Sequence, residues 1–178
     1  MDEHSRLCAD NITLIGMPGA GKSTLGVVLA KRLGMRFVDT DLLLQEGEGC
    51  LLSELIEARG VEGFIETENR LLSGLRCERH VIATGGSAVY GQQAMENLKA
   101  LGRVVFIDIS LEELHHRLHQ DLLQRGVVAR TGGTIEDVYR ERLPLYRRYA
   151  DITVKTDGLS TLQAIEKLLE ALREGEAV

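Results

Sequence analysis

With 178 residues, 44% of them hydrophobic, and no Pro- or Ser-rich linker, the chain is predicted to form a single domain over residues 1–178. Its net charge of −6 argues against nucleic-acid binding, which needs a basic surface, and its three widely spaced cysteines support neither a disulfide framework nor a zinc site. The polar first residues and the lack of an apolar stretch of about 20 residues predict a cytoplasmic protein with no membrane partner.

The first predicted strand, residues 12–15, leads into a glycine-rich segment. Residues 16–24 read GMPGAGKST and match the pattern G-x-x-x-x-G-K-[ST] of a phosphate-binding P-loop. Glycines let the backbone approach a polyphosphate, and the N-terminus of the following helix adds positive potential. Lys22 is expected to reach the β- and γ-phosphates, and Ser23 to offer a hydroxyl to Mg²⁺. The predicted cofactor-binding residues are Gly16, Gly19, Ala20, Gly21, Lys22, Ser23 and Thr24.

The helix predicted after this loop covers residues 25–33 and ends at Gly34, which suits a C-terminal cap. The second predicted strand, residues 36–38, is followed by Asp39 and Asp41 at the edge where ligands of open α/β sheets gather. Two acids one residue apart point in different directions. We therefore expect Asp39 to face a metal ion and Asp41 to orient or deprotonate an acceptor hydroxyl. The alternative is a cap for a helix that begins near Leu42, and Asp41 can serve in both ways.

The middle of the chain is predicted to be helical over residues 51–59 and 62–75, within a substrate-binding region of about residues 42–75. The third predicted strand, residues 80–83, is followed by Gly85 and Gly86. These glycines are expected to offer backbone N–H groups to a ligand at the same edge of the sheet, and the alternative is a tight turn without a ligand.

A fourth strand, residues 104–107, and a helix, residues 111–123, are predicted next. His115 and His119 lie four residues apart on this helix, but with no third ligand nearby we predict no metal site there. Residues 124–133 contain Arg125, Arg130 and glycines without a regular period, which is typical of a mobile lid, and a plain surface loop is the alternative.

The last predicted elements are a helix at residues 135–149, a strand at 152–154 and an amphipathic helix at 159–172. The first of these carries Arg142, whose guanidinium can grip a carboxylate or a phosphate through two hydrogen bonds. The alternation of short strands and helices along the chain predicts an α/β fold with parallel strands.

Four segments together resemble the shikimate kinases, small members of the nucleoside-monophosphate-kinase branch of P-loop proteins, over nearly the whole chain. They are the P-loop at 16–24, the F-x-D-x-D segment at 37–41, the glycines of TGG at 84–86 and the R-x-P-x-Y…A-D element at 142–151. The resemblance implies a three-layer P-loop fold, with a five-stranded parallel sheet flanked by helices and a mobile lid. It also implies ATP and Mg²⁺, and a small hydroxyl acceptor, with shikimate converted to shikimate 3-phosphate.

Residue roles follow from the same resemblance. It implies that Asp41 meets the acceptor hydroxyls, that Arg142 grips a carboxylate and that the lid residue Arg125 touches the transferred phosphate. The predicted catalytic residues are thus Lys22, Asp41 and Arg125, and the metal ligands are Ser23 and Asp39. The predicted substrate-binding residues are Asp41, Gly85, Gly86, Arg142 and Glu68. We expect a monomer.

Three positions depart from the family pattern. Ile65 stands where the family has a second carboxylate-gripping arginine, Ser87 replaces the third glycine after strand three, and Gly126 replaces the proline of the lid. A lost hydrogen bond to a charged group is worth about 1.5–3 kcal/mol, which would weaken shikimate binding without forbidding it. Glu68, which pairs with that arginine in the family, is left to accept from a substrate hydroxyl or ammonium, or is simply exposed.

Two other functions are therefore considered. One is a kinase for another small hydroxy compound, such as homoserine or a polyol. The other is a nucleotide-dependent regulatory protein, although the N-K-x-D segment typical of guanine-nucleotide switches is lacking from the sequence.

Overall fold

The computed structural model describes residues 10–118 and 133–175. Its centre is a five-stranded sheet in the order β2-β3-β1-β4-β5, in which all neighbouring strands are parallel. The strands are β1 (Asn11–Ile15), β2 (Arg36–Asp39), β3 (His80–Ala83), β4 (Gly102–Asp108) and β5 (Ile152–Lys155). Runs of Ile, Val and Leu form the central strands because helices cover both faces of a parallel sheet.

The helices flank this sheet, as the predicted three-layer α/β class requires. They are α1 (Lys22–Leu33), α2 (Thr40–Glu48), α3 (Leu52–Gly74), α4 (Gln92–Leu101), α5 (Leu111–Leu118), α6 (Ile135–Tyr149) and α7 (Thr161–Glu174), with a 3₁₀ turn at Ala88–Tyr90. Within the described ranges, none of them combines the length and the apolarity that crossing a bilayer demands.

The local predictions agree with most of these bounds. All five predicted strands form, each at least as long as predicted. Gly34 caps α1 in the left-handed conformation, with φ 65° and its N–H donating to the Ala30 carbonyl, as predicted. The two helices expected over 51–59 and 62–75 both form within α3, which is divided at Gly60, where φ is 70° and ψ is 177°, so the predicted break is confirmed. The predicted lid and the end of the predicted helix 111–123 lie outside the described residues.

Helix α4 was missed by the sequence analysis. Its buried residues, Ala94, Met95 and Leu98, fall on one face at helical spacing, and this is the signal that could have revealed it. The helix starts after Gly91, which makes no side-chain cap, so the usual polar start signal is lacking.

A small apolar cluster lies apart from the main core, between α2 and α3. We call it the α2–α3 cluster, and its buried members are Leu44, Leu55, Phe64 and Ile65. The ring of Tyr90 packs against it. The cluster fixes the two helices beside the carboxyl ends of β1, β2 and β3, where the candidate site lies.

Candidate active site

The P-loop wraps the end of β1 and leads directly into α1. Gly16 has φ 147°, and a Cβ there would lie 2.7 Å from the Ile107 carbonyl oxygen, so this position requires glycine. Gly21, with φ 90°, is the N-cap of α1. The loop thus directs the positive end of α1 toward the cavity in front of it.

Lys22 is folded back into this loop. Its Nζ donates to the carbonyl oxygens of Gly16 and Met17 at 2.9 Å each, and the residue is 7% exposed. Burial lowers the pKa of Lys22 to about 8, and the attraction of Asp41 only partly opposes this. A polyanion in the loop would offer oxygen atoms to the ammonium group and would favour its charged form.

Asp39 and Asp41 hold different positions at the start of α2. Asp39 is the N-cap of α2, and its Oδ1 accepts from the backbone N–H of Asp41 at 3.0 Å. The alternative role of a helix cap therefore falls to Asp39 and not to Asp41, because the helix begins at Thr40 and not near Leu42. Asp41 lies in the first turn with its carboxylate on the cavity wall, where burial, and then Asp39, raise its pKa while Lys22 lowers it.

A cavity of about 140 Å³ brings most of the predicted residues together. On its wall are Gly19, Gly21, Lys22, Ser23, Thr24, Asp41, Gly85, Gly86 and Arg142, joined by Pro18, Leu52, Phe64, Thr84 and Ser87. Four predicted residues are not on this wall, namely Gly16, Ala20, Asp39 and Glu68. Arg125 and Arg130 lie outside the described residues.

A second cavity, of about 430 Å³, adjoins the first and shares Gly19, Gly21 and Thr24 with it. Arg117, which was not predicted as a site residue, lines this second cavity. Its Nη1 donates to the Ala20 carbonyl at 3.2 Å and its Nη2 to the Thr156 carbonyl at 3.3 Å, while Nε bonds to Glu113 at 2.7 Å. The i, i+4 pair with Glu113 was visible in the sequence, but the contact with the P-loop was not. Arg117 therefore ties the P-loop to the segment between β5 and α7.

Glu68 is buried, so the alternative of a simply exposed side chain is wrong. It is 3% exposed, its Oε2 accepts from Ser87 Oγ at 2.6 Å, and its Oε1 is buried without a hydrogen-bond partner in the described structure. Burial raises the pKa of Glu68 to about 7, and the bond from Ser87 opposes the shift.

Gly85 lies between the two carboxylates. A Cβ at Gly85 would lie 2.7 Å from Asp41 Oδ1 and would clash with Glu68 Oε1. Only glycine therefore lets Asp41 and Glu68 approach the turn that follows β3.

Arg142 is buried at 1% exposure, yet it keeps its charge. Burial lowers its pKa, but the hydroxyls of Tyr146 and Tyr90 outweigh this and leave the pKa above its usual value. Its Nε donates to Tyr90 Oη at 3.2 Å, and its Nη1 lies beside Gly86. Tyr146 Oη donates to the Gly86 carbonyl at 2.7 Å, which fastens α6 to the same turn.

Ile65 does not lie on the wall of the first cavity. Its side chain is part of the α2–α3 cluster and lines a separate cavity together with Tyr90 and Asn69. The position that the family pattern gives to an arginine is here part of an apolar contact.

The donor set of the site fits Mg²⁺. The described residues contain no cluster of three or more His, Cys, Asp or Glu side chains that could hold a metal ion by themselves. His115 forms an ion pair with Glu136. Mg²⁺ is commonly held by one or two protein oxygens together with substrate phosphates and water. Ser23, exposed on the cavity wall, and Asp39, at the end of β2, can supply such oxygens.

Comparison with known proteins gives one consistent result. Residues 18–173 match the family model described as shikimate kinase. A shikimate kinase of Vibrio parahaemolyticus is 35% identical over 168 residues, covering 92% of this chain and 96% of the relative, and one of a Synechococcus species is 36% identical, covering 94% and 86%. The solved shikimate kinase from Acinetobacter baumannii in complex with shikimate has a TM-score of 0.87 at 28% identity, covering 99% of this chain and 100% of that one.

Proposed function

This chain belongs to the shikimate kinase family, and we propose that it transfers the terminal phosphoryl group of ATP to a hydroxyl group of shikimate. It is an ATP-dependent small-molecule kinase on an α/β P-loop fold. The observation that carries the proposal is the cavity whose wall joins the P-loop lysine Lys22, the carboxylate of Asp41 and the guanidinium of Arg142. The comparisons favour neither homoserine or polyol phosphorylation nor a regulatory role.

The nucleotide is proposed to span both cavities. Its phosphates would lie against the backbone of residues 16–24, which includes Gly16, Gly19, Ala20, Gly21, Ser23 and Thr24. The first cavity is too small for a whole nucleotide, so the base and ribose would extend past the shared residues into the second cavity, beside Arg117.

Mg²⁺ is proposed as the cofactor, held by Ser23 and Asp39. When bound, it would neutralise negative charge on the nucleotide phosphates. Asp39 can fill this role while capping α2, because the cap uses Oδ1 and a carboxylate has a second oxygen.

The acceptor is proposed to bind between the turn after β3 and α6. Arg142 would hold its carboxylate, and the backbone of Gly85 and Gly86 would approach it closely because neither residue carries a Cβ. Glu68 is proposed to accept from an acceptor hydroxyl through Oε1, which makes no hydrogen bond but is buried against Gly85, so the turn after β3 would have to shift to admit the hydroxyl. These contacts would direct the reacting hydroxyl toward Asp41.

The proposed mechanism relies on position and charge, since phosphoryl transfer passes through a loose transition state. Asp41 would orient the acceptor hydroxyl and take its proton, and its raised pKa makes it a stronger proton acceptor than an ordinary carboxylate. Lys22 would leave the carbonyls of Gly16 and Met17 and compensate charge on the transferring phosphoryl group. Arg125 is proposed to add a second positive charge from the lid.

A coupled assay of ADP formation tests the function directly. With ATP and Mg²⁺, we expect turnover with shikimate and none above background with homoserine or a polyol. Lys22→Ala should lower kcat by at least about 100-fold, because the compact charge at the β- and γ-phosphates is lost. Turnover with homoserine or a polyol but not with shikimate would contradict the proposal.

We also propose that the protein acts as a monomer in the cytoplasm. Sedimentation velocity at several protein concentrations should give a single species of the 19.7 kDa mass. A concentration-dependent dimer would contradict the monomer.

A further inference from the structure

Among the described residues, Arg142 is the single arginine on the wall of the first cavity, where the acceptor is proposed to bind. A guanidinium binds a carboxylate well when its plane is fixed, since both parallel hydrogen bonds then form without loss of side-chain freedom. The group that fixes this plane therefore matters for acceptor affinity.

Tyr90 makes two contacts with this guanidinium. Its hydroxyl accepts from Nε at 3.2 Å, and the Cζ atom of Arg142 lies 5.1 Å from the centre of its ring, within the range of a cation–π interaction. The bond to Tyr90 uses Nε, while Nη1 lies by Gly86, another residue of the cavity wall.

Tyr90 is itself held in place by apolar packing. Its ring packs against the α2–α3 cluster, and it lines a cavity with Ile65, a member of that cluster. The apolar cluster thus supports the tyrosine, and the tyrosine hydroxyl reaches the arginine.

We propose that Tyr90 is a positioning residue that orients the guanidinium of Arg142 and thereby sets the affinity for an acceptor carboxylate. This inference rests on the proposed function. Tyr90 acts through Arg142 and does not touch the reacting atoms, so its effect falls on acceptor binding and not on the nucleotide or on the chemical step.

The packing of α6 does not depend on Tyr90 alone. Tyr146 on the same helix donates to Gly86 and stacks on Phe106 with ring centres 5.1 Å apart. Removal of the Tyr90 hydroxyl should therefore leave the helix in place and loosen the orientation of the arginine, which Tyr146 also contacts.

The test compares steady-state kinetics of the full-length wild type with Tyr90→Phe, using shikimate and its methyl ester as acceptors. The variant should raise the KM for shikimate about 3- to 10-fold, which is less than the roughly 10- to 150-fold of a lost direct hydrogen bond to a charged group, because Arg142 and its charge are retained. The kcat and the KM for ATP should stay within about twofold. The methyl ester carries no charge for Arg142 to bind, so its KM should be the same for both proteins within about twofold.

Tyr139→Phe is the matched control. Tyr139 lies on α6, the helix that carries Arg142, and its hydroxyl donates to the backbone carbonyl of Ile109 at 3.1 Å, so the control removes a tyrosine hydrogen bond away from the cavity. Its KM for shikimate should equal that of the wild type.

Each other outcome overturns the inference. An unchanged KM for shikimate in Tyr90→Phe, or an equal rise for shikimate and the ester, would show that Tyr90 does not act through the carboxylate. If the wild type turns over shikimate in that case, only the role of Tyr90 is refuted and the proposed function stands. A wild type with no shikimate turnover would refute both.

Discussion

At the scale of single residues, Glu68 shows how burial changes an acid. Its pKa is about 7 in the folded chain, against 4.5 for the unperturbed group, so between these pH values the folded chain holds a proton that the unfolded chain has lost. The stability contributed by the neutral carboxyl is complete below pH 4.5 and is lost as the pH rises to about 7. The shift corresponds to about 3 kcal/mol.

Glu68→Gln should remove this pH dependence while keeping an oxygen that accepts from Ser87. As the pH rises from 5 to 8, the wild type should lose about 2 kcal/mol more of its free energy of unfolding than the variant does. Urea unfolding at several pH values measures this difference. Glu66→Gln, an exposed position on the same helix, is the control and should show no such trend. Parallel curves for wild type and Glu68→Gln would contradict the raised pKa.

At the scale of elements, α2 begins with a residue that has two separable tasks. Asp39 caps the helix through its own side chain and is proposed to bind Mg²⁺ through its charge. Asparagine caps a helix about as well as aspartate, whereas alanine does not.

Asp39→Asn should therefore keep the free energy of unfolding within about 0.5 kcal/mol of the wild type and yet lower kcat sharply and raise the Mg²⁺ concentration for half-maximal activity. Asp39→Ala should add a loss of about 1 kcal/mol in stability. Magnesium titrations of activity and thermal unfolding of both variants separate the two effects. Full activity in Asp39→Asn would exclude a role for the negative charge.

Helix α3 contains a break that only glycine tolerates. Gly60 has φ 70° and ψ 177°, and a Cβ there would meet nothing within 4 Å, so a substitution would introduce backbone strain without a steric clash.

Gly60→Ala should lower the free energy of unfolding by about 1–3 kcal/mol. Gly47→Ala in α2, where the Cβ also meets nothing and the backbone is helical, should instead leave it unchanged or raise it by up to about 1 kcal/mol. Opposite signs in urea unfolding are the expected result. Equal effects would show that the break is not maintained by the backbone conformation of Gly60.

At the scale of the whole molecule, the site is assembled from elements across the sheet. In the proposed function, the P-loop and α1 bind the phosphates, while the turn after β3 and α6 bind the acceptor, and all of these elements contribute residues to one cavity wall. A ligand that binds only the folded state raises the melting temperature by mass action, so each half can be tested separately.

Shikimate should raise the Tm of Lys22→Ala but not that of Arg142→Ala, each relative to the same variant without ligand. A non-hydrolysable ATP analogue with Mg²⁺ should give the reverse pattern. Differential scanning fluorimetry at ligand concentrations well above the wild-type Kd measures both shifts. If either variant lost the rise in Tm with both ligands, the proposal that nucleotide and acceptor bind to separate halves of the site would be contradicted.

The sequence by itself determined the features that depend on local spacing. The P-loop, the acids after β2, the glycines after β3 and all five strands are patterns of a few consecutive residues, and each was placed correctly. The chemistry of Arg142 predicted that it binds a carboxylate or a phosphate, the family resemblance narrowed this prediction to a carboxylate, and the structure puts the residue on the same cavity wall.

Only the tertiary structure decided which distant residues meet. Ser87 bonds to Glu68 from 19 positions away, Arg142 to Tyr90 from 52 and Arg117 to Ala20 from 97. It also decided that Ile65 belongs to an apolar cluster and not to the acceptor cavity. Such contacts depend on the order of strands in the sheet and on how the helices pack over it, and local spacing carries no record of either.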